Sequence, residues 1–135
     1  GSGELTITGN GKMLAKENDC YTIDIVDGGK LVIENGTFVG NITAVYAHTG
    51  TAEIKGGTYR LLQDMSYQDT VNPNKYLLNC LDDSFAAGTA SITVIGGTFD
   101  KFDPARSFEK DRVSFLSDGY KSVANENGTY TVVAE

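Results

Sequence analysis

Lys30-Leu-Val-Ile-Glu-Asn-Gly-Thr-Phe38, Thr51-Ala-Glu-Ile-Lys-Gly-Gly-Thr-Tyr59 and Ser91-Ile-Thr-Val-Ile-Gly-Gly-Thr-Phe99 are three versions of one unit. Each reads apolar, any, apolar, any, Gly or Asn, Gly, Thr, aromatic. The alternation puts Leu31 and Ile33, Ala52 and Ile54, and Ile92 and Val94 on one face of a strand. The glycines then supply backbone angles that a side chain disfavours, allowing a sharp bend. Phe38, Tyr59 or Phe99 follows the bend and returns to the same interior. The second turn residues are Gly36, Gly57 and Gly97, 21 and 40 residues apart. The longer spacing is nearly twice the shorter, as if one coil carried an insertion or two coils intervened. Leu5-Thr-Ile-Thr-Gly-Asn-Gly11 is a weaker fourth copy, offset by 26 residues from Ile7 to Ile33.

Between these units lie further strand-like runs, Tyr21–Val26, Ile42–His48 and Tyr76–Leu81. A strand, a glycine bend and a second strand make one coil. About 20 residues cannot bury their own apolar face, so neighbouring coils must stack on one another. Helical spacing is nearly absent. The pattern predicts an all-β parallel solenoid. An antiparallel sandwich is the rival fold, since short strands at regular spacing suit it too, but a sandwich does not require repetition at matching positions.

The organisation follows. Residues 1–3, Gly-Ser-Gly, read as a cloning scar, and residues 4–106 as coils interrupted by a polar insertion at about 61–75. Residues 107–135 form a C-terminal cap in which strands flank Asn127-Gly128, a β-hairpin signal. Such a hairpin covers strand edges that otherwise invite pairing. Leu5-Thr-Ile-Thr enters the repeat with no cap before it, which predicts a preceding segment or another subunit at that end.

Composition narrows the partners. At 135 residues one domain is expected. The formal charge of −7 argues against nucleic acid and against an anionic membrane surface. No apolar run approaches the ~20 residues of a membrane span, and no signal peptide is present. Sixteen glycines, against an average of about 7%, with only two prolines, fit repeated turns. Cys20 and Cys80 sit in apolar runs and read as reduced, buried thiols rather than a disulfide framework.

Gly96-Gly-Thr-Phe-Asp-Lys-Phe-Asp-Pro-Ala105 and the hairpin from Gly119-Tyr120 through Val132 carry a resemblance. Together with the repeated bends, they resemble the right-handed parallel β-helix proteins of the pectate-lyase-like superfamily. Most similar are β-helix modules of gut bacteria and bacteriophages. The resemblance implies a right-handed parallel β-helix with a C-terminal β-hairpin cap. It further implies a non-enzymatic structural module of a virion fibre or spike, interacting with a receptor or a bacterial surface glycan, and a homotrimer if virion-borne. The expected location is the virion surface or the bacterial exterior. A bacterial cell-surface adhesin is the second reading. A polysaccharide lyase or glycoside hydrolase is the third.

The residues support little chemistry beyond this. Outward strand positions include Asp24, Tyr46, His48 and Asn79, which form a column only if the coils stack in register. Hydrolysis of a glycosidic bond needs two carboxyls at a set separation; Asp24 and the adjacent Asp82-Asp83 are the candidates, and adjacent acids in a turn are ordinarily turn-forming. His48 is the lone histidine, which excludes a histidine-rich metal site. Asp64, Asp69, Asp82, Asp83, Asp100 and Asp103 lack the spacing of known calcium loops, so neither metal nor cofactor is expected. The Asn-x-Thr triplets at Asn35, Asn41 and Asn127 read as bends. Tyr46, His48 and Tyr67 are the expected ligand-binding residues, the last in the insertion.

Overall fold

A computed structural model describes residues 3–16, 20–62 and 76–135. The strands are β1 (Glu4–Ile7), β2 (Lys12–Leu14), β3 (Tyr21–Ile25), β4 (Gly29–Ile33), β5 (Thr37–Gly40), β6 (Thr43–Ala47), β7 (Gly50–Ile54), β8 (Thr58–Leu61), β9 (Leu78–Cys80), β10 (Ala90–Val94), β11 (Thr98–Asp100), β12 (Tyr120–Ala124) and β13 (Thr129–Ala134). One short helix, α1 (Asp82–Ala86), lies between β9 and β10. The fold is mostly β, and its sheets are built chiefly from parallel pairs.

The chain visits three sheets in rotation. β1, β4, β7 and β10 form one, β3, β6 and β9 another, and β2, β5, β8 and β11 the third, which β13 and β12 extend. Pairing between successive visits is parallel and in register: Leu5, Leu31, Ala52 and Ile92 form one file, and Ile7, Ile33, Ile54 and Val94 the next. The weak fourth copy around Leu5 is thus a true layer. The 40-residue spacing also resolves, because β10 pairs directly with β7. A single passage carries the extra residues, between β8 and β9 and in α1. Most of the insertion expected at 61–75 lies outside the described residues.

The bend motif has two physical functions. The N–H groups of Thr37, Thr58 and Thr98 donate to the carbonyls of Gly11, Gly36 and Gly57, one layer back, at 2.8–2.9 Å. Each bend is therefore a rung as well as a corner. Gly97 has φ +98°, and a Cβ on its neighbour Gly96 would collide with the Lys55 carbonyl. One glycine of the pair supplies the left-handed angle, and the other lets the layers approach. Met13, Phe38, Tyr59 and Phe99 follow one another in register, the last three buried. Phe38 stacks on Tyr59 at 5.2 Å and Tyr59 on Phe99 at 4.8 Å. Such pairs add about 0.5–1.5 kcal/mol each beyond area burial. The Tyr59 hydroxyl donates to the Gly56 carbonyl at 2.7 Å, so the ring is buried without an orphaned polar atom.

The hairpin at Asn127-Gly128 forms as expected. β13 pairs antiparallel with both β12 and β11. Asp82-Asp83, read as a turn, instead opens α1; acids in a first helical turn suit the positive end of the helix dipole. Cys80 is a buried thiol whose pKa burial raises to about 12, and no disulfide joins it to Cys20. Asn41 is only 4% exposed, while Asn35 donates to Asn10 and Asn127 accepts from Thr129. All three triplets therefore have structural uses.

Candidate functional site

The outer face of β3, β6 and β9 gathers most of the expected site residues. Asp24 pairs in register with Tyr46, and Tyr46 with Asn79, so the outward column forms. His48 stands just beyond β6, its N–H held by the Ile25 carbonyl at 2.9 Å. From there its Nδ1 meets Asp24 Oδ1 at 2.8 Å. The two side chains remain 39% and 37% exposed. A carboxylate on Nδ1 fixes the ring orientation and leaves Nε2 as the ring nitrogen for an incoming group.

Tyr46 is the centre of an aromatic ladder. It stacks on Tyr21 at 4.7 Å with planes 11° apart, and the His48 ring tilts against it at 4.5 Å. Tyr21 is not among the residues that the sequence singles out; only the layer stacking brings it to Tyr46. Burial, above all, raises the pKa of the Tyr46 hydroxyl, and nearby Tyr21, Asp24, Asp82 and Glu109 add to the shift. That same set of neighbours links the ladder to the next feature.

A groove of about 710 Å³ opens between α1 and the segment 108–113, walled by Phe85, Phe108 and Val113 and edged by Asp82, Asp83 and Glu109. Glu109 is 3% exposed and accepts the Cys80 N–H at Oε2, 3.0 Å away. Burial raises the pKa of its carboxyl, the Cys80 hydrogen bond opposes that, and Asp82 adds a further rise. The segment holding it is tied down by Ser107. The Ser107 hydroxyl donates to the Val113 carbonyl and accepts the Glu109 N–H. Asp111 and Arg112 both have left-handed φ, 61° and 53°, which costs about 1–3 kcal/mol per residue. Arg112 offsets this through bonds to the Ser107 and Arg106 carbonyls and by lying 4.0 Å over the Phe108 ring.

Sequence reasoning missed Glu109, and no local signal could have found it, since its partner Cys80 is 29 residues away. Asp24 and Asp82-Asp83 lie on the two sides of Tyr46, Asp24 with His48 and the others at the groove. Among the described residues no group of three or more His, Cys, Asp or Glu side chains could hold a metal ion. Nor is any helix there long and apolar enough to cross a membrane. Tyr67, Asp64 and Asp69 lie outside the described residues. No family model, no curated protein and no solved structure matches this chain.

Proposed function

We propose that this chain is a right-handed parallel β-helix module that displays a glycan-binding face and performs no catalysis, as part of a virion fibre or spike on the virion surface. The cyclic order of the three sheets, with glycine bends as rungs, supports the β-helix reading. One observation carries the binding reading: the outward Asp24–Tyr46–Asn79 column, exposed at Asp24 and half-buried at Tyr46 and Asn79, with Asp24 paired to His48 and Tyr46 stacked on Tyr21. Sugars present apolar C–H faces and many hydroxyls. Aromatic edges, an amide, a carboxylate and an oriented imidazole together meet both.

A panel of capsular and cell-wall polysaccharides, scored for retention and for cleavage in the same samples, tests the reading. Retention without new ends is expected, lost in Tyr46→Ala and His48→Ala. Sedimentation should return a trimer if the module is virion-borne. Glu109 and Asp82 favour a second reading, polysaccharide cleavage, because neighbouring acids in unlike environments can divide acid and base duties. New reducing or unsaturated ends, abolished by Glu109→Gln, would establish it in place of the first.

A further inference from the structure

The groove beside the column is lopsided in charge. Its lining brings four carboxyls, from Asp82, Asp83, Glu109 and Asp111, against one cation, Lys110. Arg112, in the same loop, is committed to two backbone carbonyls and the Phe108 ring. Glu109 is the informative member. Its carboxyl is almost wholly buried, and Oε2 takes the Cys80 N–H. The groove it lines also has apolar walls from Phe85, Phe108 and Val113.

From this geometry we infer that the glycan bound here carries free primary amines, a glucosamine-type polymer, and that uronate and sulfated polymers are excluded. The inference rests on the glycan-binding reading and adds the class of sugar to it. Apolar walls suit the faces of the sugar ring. An ammonium group supplies three donors and a positive charge to a groove edged by carboxyls. Polyanions entering the same groove would add like charge where the dielectric is low and screening is weak. Burial holds the Glu109 carboxyl above its usual range, and an adjacent ammonium would oppose that shift.

Calorimetric titration of the full chain tests this with four oligomers of equal length: oligoglucosamine, its N-acetylated form, oligogalacturonate and oligolysine, in mildly acidic buffer of low ionic strength. Oligoglucosamine is expected to bind about tenfold more tightly than the N-acetylated form, as one charge-assisted contact provides, with oligogalacturonate silent. Asp82→Asn with Glu109→Gln should erase that margin. The amide introduced by Glu109→Gln keeps an acceptor oxygen for the Cys80 N–H, and circular dichroism checks that the variant is folded. Equal affinity for both glucosamine forms overturns the inference and leaves glycan binding standing. A margin that survives the double substitution overturns it too. Oligolysine binding as tightly as oligoglucosamine replaces it with a basic peptide partner, and silence from every sugar removes both readings.

Discussion

The two ends of the stack are made from the same repeat and finish differently. At the end formed by β1, β2 and β3, residues of the inward file are exposed: Leu5 is 58% exposed and Met13 42%, although both sit in register with buried residues of the next layer. At the other end each sheet is closed by its own device. β13 lies antiparallel against β11. Leu116 bridges to Val94, whose N–H donates to the Phe115 carbonyl. For β9, the last strand of its sheet among the described residues, a single side chain, Glu109, takes the Cys80 N–H. A strand edge needs partners for its backbone groups, and a hairpin, a bridge or one carboxylate can supply them. Burial of a repeated apolar position depends on its layer, so the same residue type carries different weight along one file.

The file Met13–Phe38–Tyr59–Phe99 provides the widest contrast. Phe99→Ala should cost about 3–5 kcal/mol, read as a drop in the urea midpoint. Met13→Ala, at the open end, should cost under about 1 kcal/mol because much of its surface is already wet. Equal losses would mean that the open end is covered in solution.

The carboxylate device comes next. Glu109→Ala leaves the Cys80 N–H without its acceptor and should cost about 1–3 kcal/mol, while Glu109→Gln should recover much of it. The pH dependence has a definite sign. The folded-state pKa of Glu109 lies above its unfolded value, so its contribution is fully present below the unfolded pKa. It is lost as pH rises through the folded pKa. Urea midpoints measured across that window should fall with pH in the wild type more than in Glu109→Gln. Parallel curves would refute the assignment.

Bends allow a smaller comparison. Gly97→Ala forces a side chain into a left-handed angle and should cost about 1–3 kcal/mol. Gly11→Ala, at the matching bend of the first layer, meets no atom within 4 Å and should leave the melting temperature nearly unchanged. The least stability change belongs to Asp24→Asn, under about 0.5 kcal/mol because both partners of its pair are well exposed. Its effect should appear in glycan retention, since the His48 ring loses its anchor.

Much of the architecture was legible because it is local. Alternating Leu31 and Ile33, the Gly-Gly-Thr-aromatic bends and Asn127-Gly128 each specify backbone shape within a few residues, and repetition aligns them. Asp24, Tyr46 and Asn79 could be placed on an outward face by alternation alone. Whether they stood in one column depended on register, which no single strand encodes. Asp82-Asp83 misled as a turn because a five-residue helix has too little periodicity to announce itself.

The amino-acid order determined by itself the strands, the bends, the inward aromatic file and the closing hairpin, since these follow from side-chain alternation and glycine stereochemistry over short spans. Only the tertiary structure decided that Tyr21 stacks on Tyr46, that Asp24 orients His48, and that Glu109 ends β9 beside an acidic groove. Those contacts join residues 24 to 29 positions apart, and they exist because layers stack at a fixed register that brings distant residues side by side.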